Sequence, residues 1–178
     1  MRRDHLPLAT QGDAITARTA VTRIALSRHL IEIGGRTFLT DPWFSTRPGH
    51  YQGEPIAIGI PDLPRLDCVL ISHEHYDHCD LDAFVAYLDR GETVPLLVAA
   101  TVVDAARKHG VYEATFVLRA ISDAVYFAGD TMLIPELAEI PKRLGHISLA
   151  PLPANGLRIR PANNLQVVMN ADTTPRSR

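Results

Sequence analysis

The chain has 178 residues, a formal net charge of -2, and 21% charged against 46% hydrophobic side chains, the balance of one soluble globular domain with enough apolar mass for a real core. No basic run or basic-aromatic stripe gives an electrostatic case for nucleic acid, no apolar stretch approaches the roughly 20 residues that span a bilayer, and Arg2-Arg3 is followed by no apolar signal core. Cys68 and Cys79 form neither a CxxC pair nor a disulfide framework, so a reducing, cytoplasmic setting fits.

In chain order, residues 1–19 carry Pro7, Gly12 and scattered charges without periodicity and read as a flexible leader. The domain is expected over 20–170, with a flexible tail over 171–178. Alternation predicts strands over 21–26, 29–33 and 36–40, the last two joined by the hairpin turn Gly34-Gly35. Asp41-Pro42 closes the third strand and leaves a carboxylate at its tip. Residues 45–66 hold four prolines and three glycines and form a loop long enough to serve as a lid or binding loop. Trp43, Phe44 and Tyr51 are candidates to line a pocket there, although aromatic residues more often pack in a core.

The run Asp67 to Ile71 then reads as a buried strand, and it delivers Ser72-His-Glu-His-Tyr-Asp-His-Cys79. Three imidazoles and a carboxylate, His73, His75, Asp77 and His78, fall within six residues. Alternate side chains of an extended segment leave on one side, so His73 and His75 can reach a single ion. Asp77 and His78 sit where the chain turns and point to a second ion or a water. A single histidine here would be ordinary packing. Clustered imidazoles repel when protonated and gain little from burial, so a purely structural account lacks a reason for four such groups. Neutral imidazoles with a carboxylate suit Zn²⁺, with Mn²⁺ or Fe²⁺ as alternatives.

After the motif, Asp80 caps an expected helix carrying Leu81, Phe84, Val85 and Leu88 on one face, with Gly91 past its end. A strand is expected over 95–99 and a second helix from Thr101 and Asp104. It runs to His109-Gly110, where a histidine is either a ligand or a favourable C-terminal cation. Strands over 114–119 and 124–128 follow, the latter ending in Gly129-Asp130-Thr131. A Pro-broken helical stretch over 135–144 stops at Gly145, and 146–151 reads as a last strand.

HEHYDH resembles the HxHxDH signature of the metallo-β-lactamase fold hydrolases. His29 to Ser45, with its TDP turn, and Ala124 to Thr131, with its GDT turn, resemble further family segments in the expected order. The DPWFS form is most similar to the branch of ascorbate-6-phosphate lactonase and N-acyl phosphatidylethanolamine phospholipase D. The resemblance implies an αββα sandwich of two mixed sheets flanked by helices, an architecture that strand and helix alternation alone does not separate from a doubly wound sheet. It also implies that Asp130 bridges two metals, that Asp41 supports the site from close by, and that His109 is the third histidine ligand. In relatives a sizeable segment precedes that histidine and a last histidine completes the second metal position. Here the segment is missing and no histidine follows His146, so the chain reads as shortened internally and toward its C-terminus.

The expected function is a metal-dependent hydrolase acting on an ester, lactone or phosphodiester. His73, His75 and His109 would hold one ion, Asp77 and His78 the other. A metal-bound water, its pKa lowered from 15.7 to about 7, would be the nucleophile, with Asp77 accepting or orienting its proton. Two carboxylates facing two divalent ions leave net positive charge, which favours an anionic small molecule. The alternative is a shortened family member with a reduced metal site that is inactive or acts as a binding protein. Sheet edges left by the missing segments could be covered in a homo-oligomer.

Overall fold

The computed structural model describes residues 19–48, 53–73, 75–91, 94–98, 116–154, 158–159, 165–166, 168–170 and 172. The leader expected over 1–19 (apart from Thr19), Tyr51, the second helix, His109 and all but one residue of the expected tail lie outside them.

Three N-terminal strands, β1 (Ala20–Ala25), β2 (Arg28–Ile33) and β3 (Arg36–Thr40), form an antiparallel meander. Gly34 and Gly35 turn between β2 and β3 with φ of 59° and 72°, values that a two-residue hairpin turn requires and that glycine adopts without a Cβ penalty. A Cβ on Gly34 would stand 3.1 Å from that of Ala120, so the tight turn also admits the neighbouring sheet. The chain then crosses over to β4 (Cys68–Ile71), which pairs parallel to β3, and β5 (Leu96–Val98) extends the sheet in the order β1-β2-β3-β4-β5. All four residues of β4 are buried, with Val69 and Leu70 fully so. A parallel strand covered on both faces has this continuous apolar run, and each such side chain is worth about 1.5–3 kcal/mol of burial.

The two faces of this sheet carry two cores. On one, Ile24, Leu30, Leu39, Val69 and Ile71 meet Leu63, Leu66 and Tyr87. Tyr87 comes from α1 (Leu81–Leu88), and Leu63 and Leu66 come from the long loop. The described part of that loop thus covers a core, with Ile56, Ile58 and Ile60 packed beside it. On the other face, Ile31 and Ile33 meet Val125 and Phe127 of a second sheet, β6 (Phe116–Arg119) paired antiparallel with β7 (Ala124–Phe127). Two sheets face to face, with a helix on the outside of the first, make the expected αββα sandwich in incomplete form. The two-residue strands β8 (Arg158–Ile159) and β9 (Leu165–Gln166) pair with each other.

Two local expectations change. Val85 is 55% exposed; the buried face of α1 runs through Ala83 and Tyr87, because the Tyr87 hydroxyl is drawn inward to accept from Leu66 N–H and donate to the Pro64 carbonyl. Residues 146–151 make only the bridge between Leu149 and Val125 rather than a full strand. The broken helical stretch expected over 135–144 is present as a 3₁₀ turn, Pro135–Ala138, followed by α2 (Glu139–Leu144), which ends at Gly145 and buries no residue. Among the described residues no helix is long and apolar enough to cross a membrane.

Candidate metal centre

The site gathers at the C-terminal tips of β3, β4 and β7. Asp41 follows β3 directly, is fully buried, and holds a φ of 41°. That left-handed conformation is uncommon outside glycine and is tolerated best by Asp and Asn. Its carboxylate is saturated from within the protein. Oδ1 accepts the Ser72 backbone N–H at 2.7 Å, and Oδ2 accepts the Ser72 hydroxyl at 2.7 Å and His78 Nδ1 at 2.8 Å. The Asp41 amide donates to the Leu70 carbonyl at 2.9 Å, fixing the two strand tips to each other.

Proton counting then assigns the rings. The single Ser72 hydroxyl proton goes to Asp41, so His73 Nδ1, 3.0 Å from Ser72 Oγ, must be the donor in that contact. His78 Nδ1 likewise donates to a carboxylate that can only accept. Both histidines therefore turn Nε2, rather than Nδ1, toward the space where a ligand would sit. The Nε2 of His78 lies 3.4 Å from Asp130 Oδ2 and 3.7 Å from Asp77 Oδ2. Among the described residues His73, His78 and Asp130 place ligand atoms within 4.8 Å of one another. His75 is exposed, with its Nδ1 3.0 Å from His73 Nε2.

The electrostatics are those of one positive charge shared among several acceptors. Burial, then the neighbouring His78 and His75, push the His73 imidazole down to about 4. For His78 burial acts downward too, but its hydrogen bonds to Asp130 and Asp41 and their charges outweigh it and hold the ring up at about 10. Asp130 is raised by burial and lowered by more through His78, His73 and His75, ending below its usual range. The His73 and His78 rings are 4.0 Å apart, so only one of them, His78, carries a positive charge. Two imidazole nitrogens and a carboxylate facing a space that already favours positive charge are a donor set that fits Zn²⁺ or a similar divalent ion.

Of the residues singled out in the sequence, Asp41, His73, His78 and Asp130 come together. His75 and Asp77 flank them, and His109 falls outside the described residues. The supporting role of Asp80 is larger than capping. Besides accepting from Ala83 N–H at the start of α1, it accepts the Phe44 and Ser45 amides at 2.9 and 2.7 Å, tying the loop after Asp41 to the helix after the motif. Trp43 is buried and packs edge-on against Tyr76 of the motif, their centroids 5.3 Å apart, and Phe44 packs against the first core.

Sequence reasoning missed two residues. Arg28 is fully buried, donates to the Trp43 carbonyl and stacks over the Phe44 ring at 5.2 Å. Burial, opposed by Glu54 and Asp80, lowers it to about 10. His29, on the facing side of β2, lines a cavity of about 410 Å³ together with Phe127, Gly129 and Asp130. The residue alternation along β2 could have suggested that they point to opposite faces, but not that either face is closed over by other segments.

A family model described as a beta-lactamase superfamily domain matches residues 36–121. An uncharacterized protein of Mycobacterium tuberculosis is 39% identical over 116 residues, which make up 60% of this chain and 30% of that protein. The N-acyl-phosphatidylethanolamine-hydrolyzing phospholipase D 1 of Caenorhabditis elegans is 40% identical over 60 residues, 30% of this chain and 17% of that protein. The chain therefore spans less than a third of the length of either relative. Among solved structures, a possible metal-dependent hydrolase from Veillonella parvula superposes with a TM-score of 0.64 at 15% identity, over 88% of this chain and 79% of that one. That likeness concerns the fold.

Proposed function

We propose that this chain, whose residues 36–121 match a beta-lactamase superfamily domain, is a metal-dependent hydrolase of the metallo-β-lactamase superfamily acting on an anionic small-molecule ester, lactone or phosphodiester, working in the cytoplasm. The observation that carries this reading is the convergence of His73, His78 and Asp130 within 4.8 Å, with Asp41 fixing the His78 ring by its far nitrogen. A ligand histidine oriented by a carboxylate is the arrangement that makes an imidazole a strong and directional metal donor.

Zn²⁺ is the favoured ion, with Mn²⁺ or Fe²⁺ as alternatives; bound here it would supply a nucleophile near neutral pH from a coordinated water and stabilise negative charge on the attacked group. His73 and His78 would hold it through Nε2, with Asp130 from the turn after β7 and His75 from the exposed side as further donors. Asp77 is 40% exposed and sits beside His78 Nε2. It is placed to accept the proton released by the nucleophile and pass it to solvent. The buried Ser72 and Asp41 take no part in the reaction; they keep both Nδ1 positions protonated so that neither ring can flip.

A second reading, a reduced site that binds metal without efficient turnover, draws on the small number of donors that converge among the described residues. Metal content decides between them. Protein purified without chelator should carry one or two equivalents, falling sharply in His75→Ala and further in His78→Ala, and the loaded protein should turn over a member of a lactone and phosphodiester panel. No metal in the folded wild-type protein would remove the hydrolase reading. One equivalent with no turnover across the panel would favour the reduced site.

A further inference from the structure

The cavity of about 410 Å³ beside Asp130 is walled by apolar residues together with Arg23, Asp130 and an imidazole. Its walls include Phe127, Gly129 and the segment Pro151, Leu152 and Pro153, and its remaining ring is His29. His29 sits across the β1–β2 hairpin from Arg23. Its Nδ1 lies 2.9 Å from the Ser27 carbonyl. A carbonyl only accepts, so Nδ1 carries the ring proton and Nε2 holds a lone pair. Among the described residues nothing hydrogen-bonds to that Nε2. The ring plane is pinned by an edge contact with Phe127, centroids 6.0 Å apart, and the His29 amide is held by the Thr40 hydroxyl at 2.9 Å.

The hairpin corner that presents the Ser27 carbonyl is itself braced. Leu26 takes a φ of 46°, a conformation that leucine rarely adopts. Its amide is captured by the Glu54 carboxylate, which also pairs with Arg23 at 2.6 Å. Strained residues of this kind persist where the surroundings over-determine them, and they gather at ligand clamps. The tautomer of His29 is thus set by a corner that the loop over 53–66 locks in place.

We infer that His29 is a positioning residue whose Nε2 accepts a hydrogen bond from a hydroxyl or amide N–H on the substrate, next to the group presented to the ions. The substrate class narrows accordingly: a carbonyl or phosphoryl compound with a hydrogen-bond donor near the scissile centre and an apolar portion lying against Phe127 and Pro151 to Pro153. This rests on the reading that the cleft beside Asp130 receives the substrate.

The test uses binding rather than turnover, so that it is separable from hydrolysis. With zinc-loaded protein, 2-hydroxycyclopentanone should bind about threefold to tenfold tighter than cyclopentanone, the worth of one neutral hydrogen bond. The hydroxyketone alone should move the His29 Nε2 resonance in a long-range proton–nitrogen spectrum. His29→Phe, which keeps a ring against Phe127 but cannot accept, should erase the preference, and His29→Gln should recover part of it. Equal affinities in the wild-type protein, a preference that survives in His29→Phe, or a protonated Nε2 would each overturn the assignment. Binding as expected with no lactone hydrolysed would keep the assignment and count against the hydrolase reading. Hydrolysis without hydroxyl preference would do the reverse.

Discussion

The N-terminal sheet and the second sheet bring different things to the same centre. In the first, the polar groups at the strand tips are buried and fully employed: Thr40, Asp41, Ser72, His73, His78 and Asp80 are at most 6% exposed and all hydrogen-bonded to one another or to backbone. The second sheet contributes Asp130 alone among them, and beyond it Leu133, Ile134, Leu144 and Leu149 stand 43–49% exposed. One region builds the site into its own core, so folding and metal binding there are a single problem. The other delivers one ligand at a strand tip, where it can be changed without disturbing the packing.

The largest test of that contrast pairs the two carboxylates. Asp41→Ala strands the Ser72 amide, the Ser72 hydroxyl and His78 Nδ1 in a buried space. It is expected to cost the metal-free protein about 3–5 kcal/mol, and to lower zinc affinity by about 10-fold to 100-fold in whatever remains folded. Asp130→Ala is expected to lower zinc affinity comparably while lowering the urea midpoint of the metal-free protein by less, because His78 loses one of its two carboxylate partners but keeps Asp41. Equal stability losses in the two variants would dissolve the distinction between a built-in and a delivered ligand.

A smaller effect is expected from pH, again in the metal-free protein. His73 titrates at about 4 when folded, below its ordinary value of 6.5, so the unfolded chain takes up the proton first and stability falls as pH drops from 6.5 toward 4. His78 is held at about 10, above 6.5, so the stabilisation it provides is complete below 6.5 and is lost as pH rises toward 10. The urea midpoint should peak near pH 6.5 in chelator and decline on both sides. His78→Asn should flatten the alkaline limb, and saturating zinc, at about 100 times its dissociation constant, should raise stability by about 2.7 kcal/mol.

What the sequence made legible follows the same division. The motif, the Gly34-Gly35 hairpin, the Asp80 cap and the GDT turn are local signals, each carried by residues whose chemistry admits few other roles. Asp41 was identifiable as a supporting carboxylate only through resemblance, because an Asp before proline is by itself an ordinary turn residue. What stayed hidden depends on coverage. Arg28 in a hairpin strand reads as a surface charge until the Trp43–Phe44 segment folds over it. Val85 fits an apolar helix face until Tyr87 takes the inward position. The long loop reads as a lid because prolines and glycines report backbone shape, whereas its isoleucines and leucines decide what it covers.

Asp80 offers a more modest test, since it joins the two local signals. Asp80→Ala removes a helix cap and the acceptor for the Phe44 and Ser45 amides, and about 1–3 kcal/mol of stability should go with it. Asp80→Asn keeps one acceptor oxygen and should lose less. The smallest effects are expected in the second region. Leu133→Ser and Leu144→Ser alter side chains that are 49% and 47% exposed, and each should shift stability by no more than about 0.5 kcal/mol. A loss above about 1 kcal/mol for either would mean that this face is covered in solution; the second region would then have a core of its own, and Asp130 would be as deeply built in as Asp41.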